Sequence, residues 1–174
     1  MMTRATLFVL ASGILCGMLA GCGPLVQVGG NGPAPDAMLV LRSTAPPPAW
    51  AGPAALGETL AVATPVVPAE LQTLRLPVQV GDAQVQYLAG ASWSEQPARQ
   101  VQRVLADTLA GAGIAVLGTE ATTVMPARQL TGALREFGLD VRGGRAVVRV
   151  RLDAQLAGPR GSGTVALRSF AAEE

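Results

Sequence analysis

Three features of the sequence predict an α/β domain of the α+β kind, a single unit with a mostly antiparallel sheet, one long amphipathic helix and a C-terminal β-meander. Apolar residues alternate through Leu74, Leu76, Val78 and Val80, and Val85 and Tyr87 continue the pattern beyond Gly81-Asp82. That period of two belongs to half-buried strands. Between 95 and 112 the period changes. Val101, Val104, Leu105, Thr108 and Leu109 stand at i, i+3, i+4, i+7 and i+8, while Arg99, Gln102, Arg103 and Asp107 take the other side, which predicts a helix. Finally, if Gly143-Gly144 forms a two-residue turn, Val141, Leu139 and Phe137 fall opposite Ala146, Val148 and Val150 on one face. Glu136 then meets Arg151 on the other face, so apolar and charged sets separate as a half-buried sheet requires.

The chain starts with an address. Met1-Met2-Thr3-Arg4 is a short positive stretch, residues 5–20 carry no charge, and the run ends at Gly21-Cys22. This is a secretory signal shape. A membrane-crossing helix needs about 20 apolar residues, and this run is interrupted by Gly13 and Gly17. Leu19-Ala20-Gly21-Cys22 resembles the bacterial lipobox, which implies cleavage before Cys22 and attachment of diacylglycerol to its sulfur. Cys16 lacks the small residue next to the cut and leaves with the signal. Residues 1–21 are thus the lipoprotein signal peptide. Residues 22–36, rich in Gly and Pro, are the lipidated cysteine and a flexible tether, and 37–174 are the domain.

Within the domain, 38–41 reads as a buried strand and 44–57 as a Pro-rich loop carrying Trp50. An aromatic there either anchors a partner or folds back over the core. Residues 58–67 alternate as a strand and 68–71 form a helical turn behind Pro68. The helix over 95–112 takes Ser94 as N-cap and Pro97 in its first turn, with Gly111 and Gly113 as its stop. Residues 114–117 return to the sheet. In the hairpin Arg135 falls opposite Leu152, placed at the sheet's end with its guanidinium in water. After a turn at 158–163 the last strand covers 164–171, with Val165 and Leu167 on its apolar side.

Composition excludes several chemistries. All 13 basic residues are Arg, against 12 acidic ones, for a net charge of +1, so nothing points to nucleic acid. The chain has neither His nor Lys, which removes the commonest general base, the usual zinc ligand and the Schiff-base nucleophile. The run 158–164 (GPRGSGT) lacks the P-loop Lys, Ser162 has no triad partner, and no spacing selects a pair among Glu95, Glu120, Glu136, Asp140 and Asp153. Arg149, Arg151 and Arg168 read as a solvated face paired with Glu136 and Asp153. The expectation is a binding part: no catalytic residue, no cofactor, no metal, not an enzyme.

The order of motifs resembles the ABC-type transport auxiliary lipoproteins, the family containing paraquat-inducible protein C. After the lipobox and spacer come the strand Leu74-Arg75-Leu76-Pro77-Val78-Gln79-Val80, then Val85-Gln86-Tyr87, then Ala91-Ser92-Trp93-Ser94-Glu95 before the amphipathic helix. Arg75, Tyr87, Trp93 and Glu95 occupy the family's motif positions, and Phe137 falls where the family has a strand Phe. The resemblance implies a non-catalytic part of a lipid-trafficking system, partnered by an MCE-domain periplasmic protein with an inner-membrane permease and ATPase. It implies anchoring through Cys22 at the periplasmic face of the outer membrane, with the inner membrane as the alternative site. Whether the protein is a homo-oligomer stays open, and a structural or assembly lipoprotein of the outer membrane is the alternative role. Trp93 and Tyr87 either pack on the sheet or contact the partner. Family members usually continue into a C-terminal helix, and without one part of a sheet face is expected to be bare.

Overall fold

The computed structural model describes residues 34–49, 52–118, 124–159 and 162–174. Cys22, the signal peptide, the tether up to residue 33, and Trp50 lie outside the described residues. Eight strands and one helix follow in chain order. They are β1 (Ala37–Leu39), β2 (Leu60–Val62), β3 (Arg75–Gly81), β4 (Gln84–Trp93), α1 (Pro97–Gly111), β5 (Val116–Leu117), β6 (Arg128–Asp140), β7 (Val147–Ala157) and β8 (Val165–Glu173). Short 3-10 turns at Leu56–Glu58 and Ala69–Leu71 flank β2 and β3.

All strands join one mixed sheet organised around β6. On one side β6 pairs antiparallel with β7, which pairs antiparallel with β8. On the other side its first half pairs parallel with β2 and its last residues parallel with β3. The antiparallel pair β3 and β4 and the parallel additions β1 and β5 complete the sheet. The three longest ladders are therefore antiparallel, and four short parallel pairings make the sheet mixed. Gly138 sits where β3 meets β6, because a Cβ there would clash with the Pro77 carbonyl oxygen. The core lies between the sheet and the start of α1. It consists of Leu71, Leu76, Trp93, Leu134 and Phe137, with Leu39, Leu41, Val67 and Val101 packed around it.

The hairpin register holds from Asp140↔Val147 through Glu136↔Arg151. Its turn differs. The Val141 N–H donates to the Gln79 carbonyl at 3.0 Å instead of crossing to β7, and the Arg142 N–H donates to the Asp140 carboxylate. The ladder thus stops at Asp140, and 141–146 form a longer loop with Gly144 at φ 74°. At the far end, a bulge between Leu134 and Glu136 shifts the register. Leu134 now faces Leu152, and Arg135 is turned to Asp153, 2.8 Å away. The expected Arg135–Leu152 pairing is replaced by an ion pair, and the buried face keeps its apolar row.

Other expectations change for equally local reasons. Residues 38–41 were expected to be buried, but β1 is a three-residue edge strand on which only Leu39 turns to the core and Met38 is 61% exposed. Of 58–67 only Leu60–Val62 forms a strand, because Pro65 offers no N–H and Val66 makes a single bridge to Ala133. The helix starts two residues later than Ser94 implies. Gln96 is the N-cap, without a side-chain bond, and Pro97 is the first helical residue. Buried Gln100 instead braces the helix start against the chain around it. Its amide donates to the Glu95 carbonyl at 2.8 Å and its oxygen accepts the Leu41 N–H at 2.7 Å. Finally, β8 is inverted. Leu167 pairs with Gln155 and is 71% exposed, Val165 is exposed too, and Ala166 and Phe170 turn to the helix side. A period-two strand exchanges both faces on a one-residue step.

Candidate docking surfaces

The sheet presents two unlike faces. One carries most of the charges of β6, β7 and β8, and they are almost wholly satisfied. Asp140, with its side chain only 8% exposed, accepts from Arg142 at 2.7 Å and lies 3.1 Å from Arg149. Arg142 reaches on to Asp82 at 3.0 Å, and Arg151 pairs with Glu136 at 3.3 Å. Arg149 Nε lies 3.2 Å from Glu173, near enough for charge attraction but without hydrogen-bond alignment. Asp153 receives both Arg135 and the Ser169 hydroxyl. The Arg142 side-chain and backbone hydrogen bonds hold the Asp140 carboxyl well below the usual carboxylate range, and Asp140 in turn raises Arg142. Ser169 first, then Arg135, lowers Asp153. The expected solvated, charge-paired face is present, with Asp140 and Glu173 as additional acids. Arg168 is not part of it. It stands on the opposite face with its guanidinium 5.3 Å from the Phe170 ring centre.

A cleft of about 240 Å³ beside Asp140, Arg142 and Arg149 is lined by this network together with Pro77, Gln79 and Val85. Most of its charges pair with neighbouring charges, while Glu70, also in its lining, has no ion-pair partner among the described residues. Tyr87 lies near it on β4, opposite Pro77 and half-buried, with the Arg75 guanidinium 4.3 Å from its ring centre. Tyr87 therefore keeps some surface, next to exposed Val85.

Trp93 is placed differently. It is 6% exposed and stacks on Phe137 with ring centres 5.0 Å apart, and its indole Nε1 has no hydrogen-bond partner among the described residues. The ring is a core element where β4 turns into α1. Glu95, next to it and just before the helix, pairs with Arg103 about two turns along α1. The family-like segment thus fastens helix to sheet.

The second face is apolar and incompletely covered. Beyond the core, α1 and the loops at Gly52–Ala54 and Gly113–Ala115 border a trough of about 1320 Å³. Its floor is made by the inward residues of β6, β7 and β8, and among the described residues its only charged lining residues are Glu58, Arg128 and Arg168. Periodicity did not reveal it, because the inverted face of β8 was needed to place Phe170 and Arg168 there. No group of three or more His, Cys, Asp or Glu among the described residues has metal-holding geometry. No helix among the described residues is long and apolar enough to cross a membrane.

Fold and surfaces together define an α+β domain with one closed ionic face and one open apolar face, suited to docking. The chain belongs to the ABC-type transport auxiliary lipoprotein component family, whose family model matches residues 40–174. Two crystal structures have a similar fold. One is protein XCC0632 from Xanthomonas campestris, described as DUF330, at 19% identity over 79% of this chain and 77% of that one, with a TM-score of 0.62. The other, an uncharacterized protein, is 17% identical over 81% and 80% of the two chains, with a TM-score of 0.61. No curated protein matches the chain.

Proposed function

We propose that this protein is the non-catalytic, lipid-anchored auxiliary component of an ABC/MCE-type intermembrane lipid transport system. In this reading the acylated Cys22 holds it at the periplasmic face of the outer membrane and the tether lifts the domain toward an MCE-domain periplasmic protein. The permease and ATPase stand in the inner membrane. The observation that carries the reading is the family match over 40–174, which spans the helix and every strand but β1. The lipobox-like Leu19-Ala20-Gly21-Cys22 supports the anchor, since two or more acyl chains hold a protein stably while one holds it only marginally. Tyr87 is assigned to partner contact, as a half-buried aromatic beside the ionic face, and so is Trp50 in the Pro-rich loop. Trp93 contributes by fixing the helix on the sheet.

Affinity purification of the tagged protein from native membranes, with mass spectrometry of what it retains, tests this. The expected result is recovery of an MCE protein with its permease and ATPase, lost or reduced in Cys22→Ala. Recovery of only barrel or cell-wall proteins replaces the reading with a structural lipoprotein of the outer membrane. Separation of outer from inner membranes on a density gradient tests the location.

A further inference from the structure

We propose that the trough between α1 and the β6–β8 meander binds the acyl chains of one anionic phospholipid, with its phosphate at Arg168. The trough is larger than the roughly 300–1,000 Å³ typical of small-molecule sites. From Val150 to Leu156 along β7 it runs six residues, about 20 Å at strand rise. A leaflet's acyl chains span about half of a ~30 Å hydrocarbon core, so they fit lengthwise. The walls suit them: Val104, Leu105 and Leu109 on the helix face Leu152, Leu156 and Phe170 on the strands.

Charge complementarity names the headgroup. Arg128 shares its end of the trough with Glu58, and its N–H is bonded to the carbonyl of Thr59, the residue after that acid. Opposite in sign, these two charges offset one another at that end, although no ion pair joins them among the described residues. Arg168 has no ion-pair partner among the described residues and no acid lining the trough beside it. Stacked over Phe170 on the outermost strand, its guanidinium stands where the apolar floor meets water, the position a phosphate takes when its acyl chains are buried. The lipid class deepens the transport reading above, on which its biological sense rests.

The chain has two tryptophans, and Trp93 stacks on Phe137, which lines the trough. In the full-length protein carrying Trp50→Phe, Trp93 fluorescence in detergent micelles therefore reports on phosphatidylglycerol with brominated acyl chains. Saturable quenching at one lipid per chain is expected. Ala154→Phe, which fills the trough, is expected to weaken it about tenfold or more while circular dichroism and unfolding midpoint stay unchanged. Ala166→Leu on β8 serves the same purpose should Ala154→Phe disturb the fold. Arg168→Glu is expected to weaken phosphatidylglycerol about tenfold and leave brominated diacylglycerol, which has no phosphate, unaffected. Quenching that rises linearly with lipid and is equal in the filled variants overturns the proposal. So does a dimer, seen by light scattering, that the filled variants split, because the trough is then an interface between copies. Crosslinking of Ala166→Cys to a helix of the co-purified MCE protein in place of lipid overturns it as well. Recovery of the transport partners without saturable quenching sinks this proposal alone. Saturable quenching without those partners keeps the lipid site and removes the transport reading.

Discussion

The same helix and the same sheet enclose two different spaces. Where β4 runs into α1, Trp93, Phe137, Leu71, Leu76 and Leu134 close into a core, of which Leu134 and Phe137 also reach the near end of the trough. A few turns along, Val104, Leu105 and Leu109 face Leu156 and Phe170 across an open trough. The residue types are alike, so hydrophobicity does not make the difference. Coverage does: the core end is closed from above by α1 and from the side by β1 and the Ala69–Leu71 turn, while among the described residues β7 and β8 are bordered by the flank of the helix and two loops. An apolar stripe tells which way a face turns, and the neighbouring elements decide whether that face is closed.

This contrast can be broken by mutation. Leu134 is 0% exposed at the centre of the core, and Leu134→Ala is expected to cost about 2–5 kcal/mol in urea unfolding. Leu156→Ala, the same change at the trough, is expected to cost less, about 1–2 kcal/mol, because Leu156 is only partly buried whereas Leu134 is fully so. Equal losses would mean the trough is closed in solution. Gly138→Ala is expected to cost about 1–3 kcal/mol, since its Cβ must push the Pro77 backbone away and loosen β3 from β6. Hydrogen exchange confined to β3 and β4 would locate that damage.

The ionic face supplies a pH test. The Asp140 carboxyl titrates lower in the folded protein than its ordinary value of 3.8. Its contribution is therefore fully present above that value and lost as pH falls from about 4 toward the folded value. Stability should decline with acid over this range, and the decline should be shallower in Asp140→Asn. An unchanged slope would show that other carboxylates carry it. The smallest effect is expected at Glu136 and Arg151. Both side chains are about half exposed, and a double-mutant cycle should give a coupling of about 0–1 kcal/mol that salt removes.

Much of the hairpin was readable from the chain, because period-two alternation and a Gly-Gly turn leave few registers that keep Phe137, Leu139, Val148 and Val150 on one side. The bulge at Arg135 was not, because it is chosen by a distant gain: Leu134 is buried and Arg135 meets Asp153. The family motif was legible in Arg75, Tyr87 and Trp93. The position of Trp93 in the core was not, since an aromatic at the start of a helix serves a core or a surface with the same local sequence. Gln100 went unnoticed as a polar residue on a helix, although it ties Leu41 to the start of α1.

By itself, the sequence determined the strand and helix periods, the single long helix, the balance of charges and the absence of His and Lys chemistry, because these depend on residue type and spacing along the chain. Tertiary structure alone decided the parallel seating of β2 and β3 along β6, the face that β8 turns inward, and the trough that results. Each of these depends on pairings between residues far apart in the chain. A shift of one residue in such a pairing turns every side chain of a strand to the opposite face.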